Sequence, residues 1–368
     1  MQTLQVRVPA TGDSSPTSAK GTPEVIVIGI DPHKSSITAS AIDSSGCQLA
    51  VRRFVVNAGT AKQLLGWAAQ WPERRFAIEG ANGLGRQIAQ ILVAGGESVV
   101  DVPSTLAMKV RVLSTGGGRK GDPADAFAVA VTALRQENLP AVNAEDQSTI
   151  LRLLAERRED LGHERARLLN RLHRLLRELI PGCVEPGLSA DKAAAALRTI
   201  RPATATDALR RELARELLAD LRRIDAGIKN NEAQTRDALV ASATTLQEIP
   251  GVGVVLAAKL LGHGGDITRF PSASHFASYT GTAPLDASSG QQNRHRLNTG
   301  GNRQLNSVLH TMAVCQSRDP GPGREYYLKK TAEGKTPREA RRALKRRLSN
   351  VLYRRILHDH HQAQKPAA

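Results

Sequence analysis

A short apolar run that ends in an acid is the feature that most restricts how this chain can fold. Residues 25–30, Val-Ile-Val-Ile-Gly-Ile, are β-branched apart from one glycine and are followed at once by Asp31. Such a run is typical of a buried strand. Two more strands are predicted at 37–43 and 48–56, joined by a Ser-Ser-Gly turn. The folded part of the chain therefore begins with three strands in succession.

Helices and strands alternate after this point. The predicted elements are a helix at 60–70, a strand at 75–78, a helix at 83–95, a strand at 97–102 and two helices at about 103–113 and 123–136. The order β-β-β-α-β-α-β-α predicts an α/β domain with a mixed sheet over residues 24–145. By fold-level analogy, this is the order of the ribonuclease-H-like fold.

Residues 146–240 form a second region, rich in Leu, Ala, Arg and Glu. Leucines spaced three and four apart predict two long helices, at about 147–180 and 205–240, paired as an αα-hairpin or a coiled-coil linker. Residues 241–357 are expected to form a mainly α-helical C-terminal domain that ends in a strongly basic helix from about 324.

Residues 1–23 and 358–368 are expected to be tails, the first of them disordered because it carries Thr, Ser, Gly and Pro with no sustained period. No apolar run approaches the roughly 20 residues that span a bilayer, and no secretory signal is visible. The three cysteines, Cys47, Cys183 and Cys315, form no CxxC or Cys/His motif. We therefore expect a cytoplasmic, nucleoid-associated protein with no membrane partner and no structural zinc.

The charge of the chain favours a polyanionic partner. Lys and Arg number 51 against 35 Asp and Glu, for a formal net charge of +16. Nucleic acid is the first candidate for such a partner. The alternatives are a basic protein from an arginine-heavy genome and a ribosome-associated factor.

Four carboxylates stand where they could meet. Asp31 and Glu79 each end a predicted strand, and Asp122 and Asp125 open a predicted helix, three residues apart and so on one face. Pro123 suits the first helical turn. Converging carboxylates could hold two Mg²⁺ ions, or Mn²⁺, roughly 4 Å apart for phosphoryl transfer. Taken singly, each acid has a structural explanation, as a turn residue or, for Asp122, as a helix N-cap.

A phosphate-binding alternative exists for the first strand. Residues 28–36, Ile-Gly-Ile-Asp-Pro-His-Lys-Ser-Ser, also resemble the first phosphate loop of sugar kinases and actin-like ATPases. Those proteins need a second glycine-rich loop, and Gly-Gly-Gly at 116–118 is a poor candidate because Arg119, Lys120 and the Asp pair follow it immediately. On fold-level analogy the kinase hypothesis is disfavoured.

Residues 249–253, Ile-Pro-Gly-Val-Gly, have the pattern of a helix-hairpin-helix turn. Its glycines permit a tight turn and close approach of a phosphate, which the N-terminus of the following helix could hold without reading bases. The alternative is an ordinary αα-turn. The residues predicted here to contact nucleic acid are Pro250, Gly251, Val252, Gly253 and Lys259.

Basic side chains follow in two places. Those predicted to contact nucleic acid are Arg294, Arg296 and Arg303 near a glycine-containing loop, and Arg341, Arg342, Lys345 and Arg346 on the basic helix. A further arginine-rich face comprises Arg165, Arg167, Arg171 and Arg174. For each set the alternative is a solvated charged face. From spacing alone, Ser289 is a loop serine, since a free serine is a weak nucleophile.

Taken together, these segments resemble the insertion-sequence 110 family of transposases. The matching pieces are Gly29-Ile-Asp-Pro-His-Lys34, Ala77-Ile-Glu-Gly80, Lys120-Gly-Asp-Pro-Ala-Asp-Ala126, Ile249-Pro-Gly-Val-Gly253, Tyr279-Thr-Gly281 with Pro284, Ser288-Ser-Gly290 and Gly300-Gly-Asn302. They extend over nearly the whole folded chain, from about Val25 to Arg355, and it is their order and spacing that are specific.

The resemblance implies an N-terminal DEDD domain like that of RuvC-type junction resolvases, a coiled-coil linker and a C-terminal transposase domain. It assigns the metal-binding catalytic acids as Asp31, Glu79, Asp122 and Asp125. It assigns Ser289, which follows Ser288, as a nucleophile that joins transiently to a DNA phosphate. It also implies strand exchange through a junction, with a noncoding RNA of the same element pairing with donor and target DNA.

Three functions from different classes follow. The leading hypothesis is an RNA-guided DNA transposase that acts as a homodimer or tetramer, since strand exchange needs at least two active sites near two duplexes. The second is a metal-dependent Holliday-junction endonuclease that uses water as nucleophile and no guide RNA. The third is a non-enzymatic nucleic-acid-binding protein whose acids are structural remnants.

Overall fold

The computed structural model describes residues 25–115, 121–180, 182, 187–286 and 295–365. Contacts within the chain divide it into two compact units, Met1–Ala144 and Glu145–Ala368. Among the described residues, no helix combines the length and the apolar character needed to cross a membrane.

A five-stranded mixed sheet organises the first unit. Its strands are β1 (Ile26–Pro32), β2 (Ser36–Ile42), β3 (Gln48–Val55), β4 (Arg74–Glu79) and β5 (Val99–Val102). They lie in the order β3-β2-β1-β4-β5, with β1, β2 and β3 antiparallel in turn and β4 and β5 parallel to β1. This is the strand order of the ribonuclease-H-like fold, so the fold predicted for this unit is confirmed.

Helices cover both faces of this sheet. They are α1 (Thr60–Ala68), α2 (Arg86–Ala94), α3 (Ser104–Thr115) and α4 (Asp122–Arg135). Side chains of a strand alternate between its faces. On β1, Ile28 packs in a core with Leu64 of α1, whereas Val27 packs in a second core with Val129 of α4. Asp31 has the parity of Val27 and therefore lies on the α4 side of the sheet.

Helix α4 approaches β1 closely because residue 29 is a glycine. A Cβ atom at Gly29 would lie 2.3 Å from the carbonyl oxygen of Ala126 and 2.4 Å from the amide nitrogen of Ala130. These are backbone atoms of α4, so they cannot move aside as the end of a flexible side chain can. The glycine and the two alanines therefore set the distance at which α4 crosses β1.

A long antiparallel hairpin begins the second unit. Its helices α5 (Gln147–Leu179) and α7 (Ala205–Ala241) are joined through α6 (Ala190–Thr199). At one end Gln147 donates to the carbonyl of Ala238, and at the other Arg210 pairs with Glu178. The leucine spacing predicted this hairpin. It did not predict α6, an alanine-rich helix that is stabilised by packing on the far end of the hairpin.

The remaining elements pack around the end of the hairpin at which Gln147 contacts Ala238. They are α8 (Val254–Gly264), α9 (Ala273–Tyr279), the two-residue strands β6 (Leu285–Asp286) and β7 (His295–Arg296), α10 (Arg303–Arg318), α11 (Pro322–Ala332) and α12 (Pro337–Ala363). Leu151 of α5 and Leu239 of α7 share one hydrophobic core with Leu260, Leu309 and Leu352 of these later helices. The expected division between a linker and a C-terminal domain near residue 240 stays a prediction.

The basic segment expected as one helix from about 324 is two helices, and that expectation was wrong. Helix α11 ends at Ala332, and Gly334 follows in the left-handed region with φ +87°. Thr336 and Glu339 then form a capping box that starts α12. Helix α12 also continues to Ala363, beyond the expected start of the tail at 358. Its buried apolar positions recur every fourth residue, at Ala340, Leu344, Leu348, Leu352 and Ile356.

Gly29→Ala is expected to force α4 away from β1. Overpacking a core costs typically about 1–3 kcal/mol, and a clash with backbone should fall at the upper end of that range. Thermal unfolding would register this as a lower Tm. Gly66→Ala in α1 is the matched control, because nothing lies within 4 Å of the added Cβ there. An unchanged Tm for Gly29→Ala would contradict the close contact.

Candidate metal centre and basic cleft

Two strand-end acids lie side by side on one face of the sheet. On β4, Ala77 packs in the core beneath α4, so Glu79 lies on that same side. Strands β1 and β4 are parallel, with Ile30 paired to Ile78, which places Asp31 level with Glu79. Asp31 is buried and Glu79 is half-buried. The sheet alone therefore brings together two of the four predicted acids.

The first turn of α4 carries the other two acids. The N-cap of α4 is Gly121, so Asp122 does not cap the helix and the structural alternative for it does not hold. Its carboxylate faces other partners instead. Oδ1 of Asp122 lies 3.3 Å from Nε2 of His33, and Oδ2 lies 3.7 Å from Nη1 of Arg53.

His33 links two of the acids. Its Nε2 lies 3.2 Å from Oδ2 of Asp31 and 3.3 Å from Oδ1 of Asp122. The backbone of His33 is held in the turn between β1 and β2, where its N–H donates to the carbonyl of Ser36 at 2.8 Å. His33 was not among the predicted site residues. The available signal was its place two residues after Asp31, just beyond a strand-end acid.

Arg111 of α3 holds the fourth acid. Its Nη1 donates to Oδ1 of Asp125 at 2.5 Å, and the two side chains are 22% and 12% exposed. This hydrogen bond is the main reason that the pKa of Arg111 is raised. Arg111 was missed as well, because its role depends on the packing of α3 against α4 and leaves no trace in local spacing.

Negative charges converge on Glu79. Burial raises the pKa of its carboxyl above the ordinary value of 4.5, and the charges of Asp31 and Asp125 raise it further. Arg111 and, next to it in effect, His33 lower this pKa. The acids are therefore close enough to repel one another, and a cation among them would relieve that repulsion.

The donor set fits a divalent cation. Nε2 of His33 and one carboxylate oxygen each of Asp31 and Asp122 lie within 4.8 Å of one another. An octahedral ion with bonds of about 2.1 Å separates neighbouring ligands by about 3.0 Å and opposite ligands by about 4.2 Å. Carboxylate oxygens are the donors that Mg²⁺ and Mn²⁺ prefer. These residues are therefore a candidate site for a divalent cation.

The glycine hairpin of the second unit turns tightly, as the sequence predicts. Gly251 has φ +80°, and Gly253 is the extended N-cap of α8. Val252 is buried, and Gln316 of α10 donates its Nε2 to the carbonyl of Pro250 at 2.7 Å. A short 3-10 turn precedes the hairpin. The helix-hairpin-helix assignment and its contact with nucleic acid stay predictions.

The side chain of Lys259 contacts polar residues of α5 and α10. Its Nζ lies 3.3 Å from Oε2 of Glu159 and 3.2 Å from Oε1 of Gln304, and its side chain is 14% exposed. These contacts tie α8 to α5 and α10. The geometry therefore gives no support to the predicted contact between Lys259 and nucleic acid.

The arginine-rich face of α5 is divided. Arg165 donates its Nε to Oδ1 of Asp225 on α7 at 2.5 Å, so this arginine ties the hairpin together. Arg167, Arg171 and Arg174 are exposed. Arg174 also lies 4.0 Å from Glu178 one turn further along.

Asparagines fasten the segments that flank the predicted serine. Nδ2 of Asn306 donates to the carbonyls of Thr280 and Gly281, at 2.9 and 3.2 Å. The backbone N–H of Asn302 donates to the carbonyl of Tyr279 at 2.7 Å. These bonds hold the start of α10 against the end of α9.

Two glycines from separate motifs meet in the same place. A Cβ atom at Gly301 would lie 2.4 Å from Cα of Gly281, which itself has φ +68°. The Thr-Gly and Gly-Gly-Asn motifs therefore pack backbone to backbone. Ser288, Ser289, Gly290 and Arg294 lie outside the described residues.

A basic cleft of about 900 Å³ opens beside these glycines. The cations that line it are Arg303 of α10, Lys335, and Arg342, Lys345 and Arg346 of α12. Glu339 is the acid among its described lining residues. Four of the predicted nucleic-acid-binding residues thus share one cleft. Arg296, which is exposed, and Arg341, which is half-buried, are not among its lining residues.

Lys345 is a half-buried member of this set that contacts α10. Its Nζ donates to Oδ1 of Asn306 at 2.7 Å, the same asparagine that holds Thr280 and Gly281. Burial lowers the pKa of the Lys345 ammonium, and the nearby charge of Arg342 lowers it further. Lys345 therefore joins the cleft to the fastened segments.

Family models match both units of the chain. Residues 28–181 match a transposase model of the DEDD type of IS110. Residues 243–328 match the model of the transposase IS116/IS110/IS902 family.

Individual proteins are similar as well. The 44.8 kDa protein of insertion element IS116 from Streptomyces clavuligerus is 29% identical over 375 residues, 89% of this chain and 94% of that protein. The 43.6 kDa protein of IS110 from Streptomyces coelicolor is 42% identical over 126 residues, 33% of this chain and 31% of that protein. The solved structure of T. thermophilus RuvC in complex with a Holliday junction substrate is 14% identical, with a TM-score of 0.26, over 32% of this chain and 99% of that one.

Glu79→Gln is expected to raise the Tm of the metal-free protein near neutral pH, because it removes a charge that burial and two neighbouring acids disfavour. The folded-state pKa lies above 4.5, so this penalty is present above the folded pKa and vanishes as pH falls below 4.5. Adding Mg²⁺ or Mn²⁺ should reverse the order, since the ion stabilises the wild type more than the variant.

Thermal unfolding at about pH 7 and about pH 4, with and without the ion, measures both effects. Glu73→Gln, an exposed acid just before β4, is the control. A metal-free wild type that is more stable than Glu79→Gln at neutral pH would contradict the repulsion at Glu79.

Proposed function

We propose that this chain, which belongs to the transposase family of the insertion elements IS116, IS110 and IS902, cuts and rejoins DNA. The proposed reaction is metal-assisted phosphoryl transfer at the acids of the first unit. The observation that carries this proposal is that Asp31, Glu79 and the first turn of α4 converge at the carboxyl ends of β1 and β4 in a ribonuclease-H-like sheet. Hard oxygen donors arranged in this way are what divalent-metal chemistry on phosphate requires.

Mg²⁺, or Mn²⁺ in its place, is the proposed cofactor. The proposed ligands, for two ions, are Asp31, Glu79, Asp122 and Asp125. Two such ions, when bound, activate the attacking oxygen and stabilise the leaving oxygen. The chain's own contribution is to fix the ligands beforehand. The contact at Gly29 sets the height of α4 over Asp31, and Arg111 orients Asp125 through its hydrogen bond.

Ser289 is the proposed nucleophile. A bond forms between its Oγ and a DNA phosphorus while the bond from that phosphorus to a sugar oxygen breaks, and the departing oxygen takes up a proton as the serine loses one. A hydroxyl of another strand then reverses the exchange and rejoins the DNA with no net loss of phosphate esters. The fastening of the flanking segments by Asn302 and Asn306 supports a functional role for this region.

The basic cleft of the second unit is the proposed binding surface for a nucleic-acid backbone. Its cations come from α10, from α12 and, for Lys335, from the loop before α12, and all of them line one cleft, whereas a merely solvated basic face would be spread along the outside of α12. Backbone contacts of this kind hold nucleic acid without selecting a sequence. We propose that the selection of sites is made by a noncoding RNA encoded in the same element.

A homodimer or tetramer is the proposed assembly, since strand exchange joins two duplexes and each cut strand needs an active site. The long hairpin of α5 and α7 is the proposed contact between copies. Each end of the hairpin exposes an apolar pair that a second copy would cover, Ile150 with Leu153 near the start of α5 and Leu209 with Leu213 near the start of α7. Such an assembly would act on DNA in the cytoplasm, at the nucleoid.

A junction-resolving endonuclease is the second candidate. It is favoured by one observation, that all four predicted acids belong to the first unit whereas Ser289 belongs to the second. A nuclease of this kind would need the acids and water alone, and it would leave hydrolysed ends.

Ser289→Ala is expected to abolish excision of the element while DNA binding changes little, because the variant keeps the acids and the cleft but loses the attacking oxygen. Asp122→Asn should abolish excision too, through loss of a ligand. Ser288→Ala is the matched control. Excision scored by joining of the flanking DNA, beside a binding assay, separates these outcomes. Full excision by Ser289→Ala would remove the serine mechanism, and metal-dependent cutting without joining in the wild type would favour the endonuclease.

Arg342→Gln should weaken the hold on RNA, because Arg342 lines the cleft and is exposed. The test purifies the protein from cells that carry its own element and sequences the RNA retained. We expect a discrete RNA encoded beside the gene, with loops complementary to the element junction and its insertion site. Binding of that RNA to Arg342→Gln should weaken. The slope of the logarithm of the binding constant against the logarithm of the salt concentration should become smaller in magnitude by about 0.7, for one lost phosphate contact.

Arg198→Gln, an exposed arginine on α6 away from the cleft residues, is the control and should leave RNA binding unchanged. Recovery of random cellular RNA alone would contradict the guide. Equal losses with Arg198→Gln and Arg342→Gln would contradict the cleft as the binding surface.

A further inference from the structure

We propose that His33 is a ligand of the divalent cation, through Nε2, and that this nitrogen donor makes the centre prefer Mn²⁺ to Mg²⁺. The inference rests on the metal centre of the proposed function and adds a fifth protein ligand to its four acids. His33 would be a catalytic residue in the strict sense, because it would touch the ion at which the phosphate reacts.

The position of Nε2 carries the inference. It lies 3.2 Å from one oxygen of Asp31 and 3.3 Å from one oxygen of Asp122. Those two acids come from a strand and a helix far apart in sequence, and the histidine is the one described side chain whose ring nitrogen meets both. This nitrogen is therefore at nearly the same distance from two carboxylates that are proposed to share an ion.

The distances also suit coordination. Ligands at right angles on an ion with bonds of about 2.1 Å lie about 3.0 Å apart. The two separations from Nε2 exceed that octahedral edge by a few tenths of an ångström, and the oxygens of Asp31 and Asp122 are within 4.8 Å of each other. An ion placed among the three atoms could therefore reach all of them with small side-chain adjustments.

The backbone supports a fixed role for His33. Its N–H donates to the carbonyl of Ser36 in the short turn that joins β1 to β2, and both strands are buried. The backbone of His33 is therefore fixed next to Asp31, whereas its imidazole side chain is 45% exposed. That combination leaves the ring able to turn toward an arriving ion without moving the strand.

A nitrogen donor changes which ion the centre favours. Both Mg²⁺ and Mn²⁺ prefer oxygen ligands, but Mg²⁺ gives up its water reluctantly, whereas Mn²⁺ is a first-row transition metal and accepts one imidazole ligand at less cost. A site of carboxylates alone discriminates little by ligand softness. An imidazole beside them lowers the relative affinity for Mg²⁺, and Mn²⁺ is the first-row ion closest to Mg²⁺ in its other preferences.

If His33 only positioned the acids and did not bind the ion, a different result would be expected. In that case Nε2 would donate a hydrogen bond to the acids and hold them together, and any side chain with a donor at the same place would serve. His33→Gln is the variant that separates the two, since its amide can donate to the acids but offers no imidazole nitrogen. His358→Gln, an exposed histidine on α12, is the matched control.

The experiment loads the full-length protein with one equivalent of Mn²⁺ and records electron spin echo envelope modulation. We expect modulation from an imidazole nitrogen in the wild type and in His358→Gln, and its loss in His33→Gln at equal Mn²⁺ occupancy. Calorimetric titration should show Mn²⁺ affinity reduced about 10-fold or more by His33→Gln, and Mg²⁺ affinity reduced severalfold less.

Absence of nitrogen modulation in the wild type, or its retention in His33→Gln, would overturn the ligand role. Equal losses of Mn²⁺ and Mg²⁺ affinity would overturn the preference. The variant Asp122→Asn distinguishes failure of the proposal for His33 from failure of the metal centre itself. Wild-type binding that Asp122→Asn abolishes leaves the centre in place even when His33 proves not to be a ligand, whereas a wild type that binds neither ion would overturn both.

Discussion

The contact between Gly29 and the backbone of α4 is the constraint on which the metal centre depends. Because β1 carries no side chain at this position, α4 settles directly on the strand, with Ala126 and Ala130 against it. The acids of the helix's first turn are thereby brought down to the strand-end acids. The centre is thus assembled by close packing in an apolar core. The burial and the neighbouring negative charges that raise the pKa of Glu79 are a free-energy cost that this packing offsets.

In the second unit, hydrogen bonds hold the candidate functional segments together, whereas close packing does so in the first unit. Asn306 holds Thr280 and Gly281 from one side and accepts from Lys345 on the other, so the cleft and the segments that flank Ser289 are parts of one network. The Gly281–Gly301 contact lets the two motifs meet at backbone distance. A substitution at Asn306 would therefore disturb both the cleft and those segments. Lys259, by contrast, serves the packing of α8 against α5.

Local periodicity was enough to predict the five strands of the sheet, the order of the elements along the first unit and the long hairpin, because each buries an apolar face with a regular spacing. The order of the strands in space came from fold-level analogy. Periodicity also located Asp31 and Glu79, since an acid at the end of a buried strand breaks that pattern visibly. His33 and Arg111 could not be found in this way, because their partners are distant in sequence. The division between α11 and α12 was missed because Gly334 stands in a charged stretch that has no apolar period to interrupt.

Isotope labelling of the reaction tests most directly whether the chain cuts and rejoins DNA. The purified protein, with its RNA and a divalent ion, would act on element DNA in water enriched in ¹⁸O, and mass spectrometry would examine the phosphates at the reacted positions. Exchange through a serine ester predicts joined products that carry no ¹⁸O, because each phosphorus passes only between oxygens of the protein and the DNA. Phosphates that carry ¹⁸O on unjoined ends would identify water as the nucleophile and would contradict cutting and rejoining.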